Sequence, residues 1–129
     1  MASILTEAGR PRFDRGGGAA TVHMATAACG ARGLLNGFTD IPAGGAIPLH
    51  LHDVEESVLV LTGRATAEID GTPHPVGPGD VVWIEAGAPH RFVAGPDGPV
   101  RIFWTYASAA ATRTLVASGE TRPVSDEAP

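Results

Sequence analysis

Apolar and polar residues alternate along this chain in short stretches, and turn-forming residues interrupt almost every one. In residues 64–70, Ala65, Ala67 and Ile69 stand against Arg64, Thr66 and Glu68. A period of two sends alternate side chains to opposite faces of a strand. From Thr21 onward the pattern predicts strands at about 21–28, 33–41, 47–52, 56–61, 64–70, 73–76, 80–85, 90–94 and 99–106. No window longer than a turn or two carries a 3.6-residue period, although the Ala-rich stretch 107–111 has room for one helical turn. The expected fold class is all-β.

The breakers support this reading. Asp70-Gly71 follows the alternating segment, and Asp-Gly tolerates the positive φ of a tight hairpin, so it should be a hairpin tip. Leu61-Thr62-Gly63-Arg64 and Pro78-Gly79-Asp80 read as turns, and residues 95–99 (GPDGP) as an exposed loop. Regularly spaced short strands indicate a sandwich or a closed barrel, and closure removes aggregation-prone edges. The 129 residues suit one domain. We divide it into an N-terminal arm (1–18), a β-barrel body (19–108) and a C-terminal tail (109–129). Phe13 is the arm residue placed to pin it to the body, and a disordered terminus fits the same composition.

Charge and composition narrow the function classes. The net charge is −5, and the nine Lys and Arg residues are scattered singly, so no basic face is expected for nucleic acid. The longest strongly apolar run, Val58 to Leu61, is far short of the ~20 residues of a membrane helix, and the amino terminus has no charged-then-apolar leader pattern. A soluble cytoplasmic protein is expected. The single cysteine, Cys29, allows no internal disulfide and no CxxC metal site, and is most simply a small buried apolar residue. Any metal must therefore use nitrogen and oxygen ligands.

Such ligands are present. His50 and His52 are two apart, so on a strand both imidazoles leave the same face with Cα atoms ~6.5–7 Å apart, a separation that lets both reach one ion. Glu56 has the same parity, but a straight strand would carry it ~13 Å from His52, so its participation requires a bend through Asp53-Val54-Glu55. Glu55 is the competing carboxylate. His90 follows the turn Gly87-Ala88-Pro89. Phe92 shares the parity of His90 and is the aromatic best placed to line a pocket, with Phe38 and His74 as further lining candidates. For His74, which has the parity of Val76, and for His23, an exposed or structural role competes.

These residues fall in a recognisable order. Gly44-x5-His50-x-His52-x3-Glu56-x6-Gly63 resembles the first cupin motif at every position, and Gly79-x5-Glu85-x-Gly87-x2-His90 resembles most of the second. The similarity covers roughly residues 40 to 105. Glu85 stands where the family usually has proline and Ala94 where it usually has asparagine, and neither position supplies a metal ligand. The resemblance implies a single cupin-type β-barrel (double-stranded β-helix, or jelly roll) with His50, His52, Glu56 and His90 around one divalent transition metal. Iron, manganese or zinc is expected, with nickel, cobalt and copper compatible with the same donors.

The resemblance further implies a metal-dependent enzyme acting on an oxygen-rich small molecule, with a non-haem dioxygenase as the leading class. Isomerase, cyclase, decarboxylase and lyase chemistry are the alternatives, together with a non-catalytic module that binds a metabolite or sugar. No residue is singled out as catalytic, since one barrel hosts many reactions. Val58, Val60 and Ile69 compete with Trp83, Trp104 and Tyr106 for limited core volume, which predicts a homodimer. Sedimentation at micromolar concentration should show about twice the 13.2 kDa chain mass; a monomer would contradict this.

Overall fold

The computed structural model describes residues 1–126, so the last three residues of the expected tail lie outside the described residues. In chain order the strands are β1 (Phe13–Gly16), β2 (Ala19–His23), β3 (Leu35–Ile41), β4 (His50–His52), β5 (Glu56–Thr62), β6 (Ala65–Ile69), β7 (Thr72–Val76), β8 (Val81–Ile84), β9 (His90–Ala94), β10 (Val100–Tyr106), β11 (Thr112–Leu115) and β12 (Thr121–Pro123). The only helical elements among the described residues are two 3₁₀ turns, Ala27–Cys29 and Val124–Asp126. No described helix is long and apolar enough to cross a membrane. The fold is all-β, as the pattern predicts.

Two antiparallel six-stranded sheets result, with strand orders β1-β2-β3-β10-β5-β8 and β12-β11-β4-β9-β6-β7. Strands adjacent in sequence repeatedly cross from one sheet to the other, the winding of a jelly roll. Strict alternation of buried and half-buried positions along β3 and β10 turns Leu35, Ile41, Val100, Ile102, Trp104 and Tyr106 inward. Phe92 and Ala94 on β9 and Val58 and Val60 on β5 complete much of the core. Gly37 has no side chain because the indole of Trp104 occupies that space.

Several boundaries differ from the sequence reading. The expected strand 21–28 runs instead from Ala19 to His23, because the Thr26 side chain accepts from the Ala28 amide and starts a 3₁₀ turn that ends at Gly30, with φ 97°. Cys29 lies on that turn and is exposed rather than buried. Residues 13–16 of the arm pair with β2, and the Phe13 and His23 rings lie 5.1 Å apart. Residues 112–115 and 121–123 of the tail extend the second sheet beyond β4. The core accepts Val58, Val60, Trp104 and Tyr106 together, whereas Val81 and Trp83 on the edge strand β8 stay 63% and 62% exposed.

The turns account for the registers. Asp70 and Gly71 both have positive φ, 51° and 79°, and join β6 to β7 so that Ile69 faces Thr72. Pro73 and Pro75 fall on β7, an edge strand, where a missing amide donor is tolerated. Gly63 has φ 81°, and a Cβ there would collide with the Pro99 carbonyl, whereas a Cβ on Gly71 meets only open space. Gly71→Ala should therefore cost only the left-handed backbone, about 1–3 kcal/mol. Gly63→Ala should cost clearly more in urea denaturation, and equal losses would refute the close approach.

Candidate metal centre

β4 is three residues long, and its ends, His50 and His52, are buried while Leu51 turns outward. β9 lies alongside and opens with His90, which pairs directly with His50. The three ring centroids are 4.8 Å (His50–His52), 4.3 Å (His50–His90) and 5.3 Å (His52–His90) apart. One nitrogen from each ring can be chosen so that all three lie within 4.8 Å of one another, a grouping that could hold a metal ion.

The carboxylate comes from the opposite sheet. The chain leaves β4, bends through residues 53–55 and enters β5 of the other sheet, so Glu56 faces the histidines across the interior. Its Oε1 lies 3.0 Å from His90 Nε2 and 3.6 Å from His52 Nε2, and the residue is 5% exposed. Glu55 has the opposite parity, is exposed, and accepts a hydrogen bond from Trp83 Nε1 at 2.8 Å. The required bend is thus a crossover between sheets, which parity along one strand could not reveal.

Main-chain carbonyls orient the rings. Nδ1 of His50 lies 2.6 Å from the Pro48 oxygen, that of His52 2.9 Å from Thr112, and that of His90 2.9 Å from Ala88. A carbonyl oxygen only accepts, so each Nδ1 donates its proton there and Nε2 is the nitrogen that each ring turns inward, that of His90 onto Glu56 Oε1. A metal requires this tautomer. Thr112 belongs to β11, and its amide donates to Asp53 Oδ1 at 2.8 Å, which ties the tail strand to the residue after His52. Neither Thr112 nor Asp53 was legible in the sequence as part of the site, because a backbone carbonyl carries no residue-type signal.

Burial first, then the neighbouring His90 and His52 and the more distant Arg15, holds the His50 pKa well below its ordinary value despite the Pro48 carbonyl. For His90, burial is the largest influence and acts downward. The hydrogen bond and charge of Glu56, the Ala88 carbonyl and Asp70 together outweigh it, so the pKa is raised. Burying three imidazoles and a carboxylate is costly unless the groups compensate one another, and a divalent ion would supply that compensation. With three neutral imidazoles and one carboxylate the set fits such an ion, leaving a net charge of +1.

The remaining candidates are divided. Phe92 is buried on the inner face with the parity of His90. Phe38 lies on the outer face of β3, 5.1 Å from the Phe103 ring and 4.1 Å beneath the Arg101 guanidinium, and so lines no interior pocket. His74 pairs with the inward Ala67, but β7 is the last strand of its sheet and the side chain is exposed. His23 packs edge-on against Trp104 at 5.7 Å. Tyr106, which the sequence left among several core aromatics, is buried with its ring 4.3 Å from that of His52. A cavity of about 230 Å³ touches Glu56 and Tyr106 and is bordered by Glu55 and Trp83.

A cupin-domain family profile matches residues 37–106. Dimethylsulfoniopropionate lyase DddW of Ruegeria pomeroyi is 35% identical over 78 residues, 60% of this chain and 51% of the lyase, so the chain spans about half the length of the curated relative it matches. Among solved structures, the polyketide cyclase RemF from Streptomyces resistomycificus is similar with a TM-score of 0.75 at 22% identity, over 96% of this chain and 86% of the cyclase. A cupin-superfamily sugar phosphate isomerase from Silicibacter pomeroyi gives a TM-score of 0.72 at 20% identity, over 98% of this chain and 96% of the isomerase. At such identities the structural likeness establishes the fold alone. The family profile covers more than half of the residues, strands β3 to β10 with all four residues of the buried cluster, and the chain belongs to the cupin family.

Proposed function

We propose that this cupin is a metal-dependent enzyme in which His50, His52, His90 and Glu56 hold one divalent ion that binds a small oxygen-rich organic molecule. The observation that carries the reading is the shared orientation of the three imidazoles, each with Nδ1 on a main-chain oxygen, around a carboxylate from the facing sheet. Nitrogen and oxygen donors without thiolate suit iron, manganese or zinc. When bound, such an ion acts as a Lewis acid toward a carbonyl or carboxylate oxygen.

The chain's own residues supply the rest. The buried faces of β4, β5 and β9 keep bulk water from the ligands, which strengthens every charge interaction there. Tyr106, whose ring lies 4.3 Å from that of His52, is the residue we assign to proton transfer. Non-oxidative chemistry that removes a proton next to a carbonyl or carboxylate group is our leading class, because the 35% identical relative is named as a lyase. A dioxygenase uses the same ligands and is separated from it by whether oxygen is consumed. In the homodimer reading, the β8 edge with Val81 and Trp83 is the surface offered for pairing.

Protein purified without a metal-binding tag should carry about one equivalent of metal by elemental analysis. His50→Ala and His52→Ala should lose most of it while folding is retained, and His23→Ala and His74→Ala should keep it. A full tightly bound equivalent in His50→Ala would remove the central assignment.

Turnover should be screened with dimethylsulfoniopropionate, scored by release of dimethyl sulfide, and with diols and enols in an oxygen electrode. Lyase chemistry should proceed anaerobically, stop with chelator and return with one particular metal. Oxygen uptake coupled to substrate loss would establish the dioxygenase instead. Tyr106→Phe should lower turnover at least tenfold with metal content unchanged. Equal turnover in Tyr106→Phe would take that residue out of the chemistry.

A further inference from the structure

Two of the three histidines stand on β4, and β4 takes its place in the sheet largely from the tail. Its register with β11 runs along the whole strand, Leu115 with His50, Thr114 with Leu51 and Arg113 with His52, whereas toward β9 it pairs through His50 with His90. β4 stops at His52 because the chain turns away through residues 53–55 to β5 in the other sheet. β11 does not stop there. It starts at Thr112, the residue that would stand opposite Asp53 if the ladder continued.

The two backbone groups of Thr112 are nevertheless taken up on this side. In an antiparallel strand the N–H and C=O of one residue leave by the same edge, and a group that loses its ladder partner needs another. Two consecutive side chains replace the missing backbone. The Thr112 amide donates to Asp53 Oδ1 at 2.8 Å, and its carbonyl accepts from His52 Nδ1 at 2.9 Å. The other two rings are anchored locally. His50 and His90 each bond a carbonyl two residues earlier, and His90 is also held at Nε2 by Glu56 at 3.0 Å. The same carboxylate oxygen lies 3.6 Å from His52 Nε2, beyond hydrogen-bond reach. The His52 ring is thus oriented from another strand, through the Thr112 carbonyl, and Asp53 holds that residue in place.

We propose that Asp53 is a positioning residue of the metal centre: its carboxylate sets Thr112, and through the Thr112 carbonyl it selects the His52 tautomer that presents Nε2 to an ion. The proposal rests on the metal-enzyme reading and adds a residue that reaches the centre by way of β11, a strand beyond the residues that the family profile matches. Groups behind a ligating imidazole fix its tautomer and ring orientation, and their loss weakens metal binding by roughly ten- to a hundredfold. Asp53 is exposed and is not itself one of the four candidate ligands, so a substitution there leaves all four in place.

Two measurements on the full chain test this. In the metal-free protein, nitrogen NMR of isotope-labelled imidazoles, above the pH range in which histidine titrates, reads the tautomers without any metal. His52 should carry its proton at Nδ1 in the wild type and become a mixture of both tautomers in Asp53→Ala, with His50 and His90 unchanged. Titration with zinc against a competing chelator reads the consequence for binding. Asp53→Ala should bind zinc roughly tenfold or more weakly. Asp53→Asn keeps an oxygen that accepts from the Thr112 amide and should recover most of the affinity together with the Nδ1 tautomer. Thr114→Val removes the hydroxyl bond of 2.7 Å between Thr114 and Thr121 in the same hairpin and should leave both readouts near wild type. Circular dichroism checks folding, and if Asp53→Ala does not fold, Asp53→Leu, close in shape and unable to accept, takes its place. An unchanged His52 tautomer, undiminished zinc affinity, no recovery in Asp53→Asn, or an equal loss in Thr114→Val would overturn the positioning role. If the wild type itself binds no zinc, the metal-enzyme reading fails, and the tautomer measurement still decides what Asp53 does to His52.

Discussion

The site depends on three hydrogen bonds from imidazole Nδ1 atoms to main-chain oxygens. They are what give three buried histidines the common orientation that a metal ion could use, because a ring free to turn offers either nitrogen in either protonation state. Two of the three are local. His50 and His90 each bond the carbonyl two residues earlier, Pro48 and Ala88, so each ring is oriented by the entry into its own strand. The third is not. His52 bonds Thr112, sixty residues further along, so its orientation depends on β11 docking against β4.

That dependence changes the standing of the tail. β11 holds the outer side of β4, its amide is tied to Asp53, and Val124 beyond β12 is fully buried. The arm has a comparable place at the end of the other sheet, where Arg15 joins the Thr21–Thr39–Trp104 chain. Buried hydroxyls and an indole N–H are tolerated in the core because they satisfy one another. The strands at the two sheet ends thus form the walls of the interior as well as its edges.

Charge is distributed unevenly over the cavities of the described residues. Carboxylates of Glu55 and Glu56 border one cavity, and guanidiniums of Arg15, Arg113 and Arg122 border another.

How much of this was legible in the sequence follows from range. The two-residue alternation, the Asp70-Gly71 tip and the His50-x-His52 spacing act within a few residues, where backbone sterics and side-chain parity decide the outcome, and they already specify an all-β chain with two histidines on one face. The spacing of His50, His52, Glu56 and His90 pointed to one cluster through its resemblance to cupins, although parity alone left Glu55 open beside Glu56. Only the tertiary structure brought Glu56 rather than Glu55 up to the histidines, by carrying the chain from one sheet to the other through residues 53–55. It also decided that Phe38 faces outward, that His74 lies on an uncovered edge, and that Arg15, Arg113 and Arg122 meet. Those outcomes depend on which strands pair across separations as wide as that from Leu35 to Tyr106, and pairing at that range is set by the whole core at once, so no local pattern encodes it.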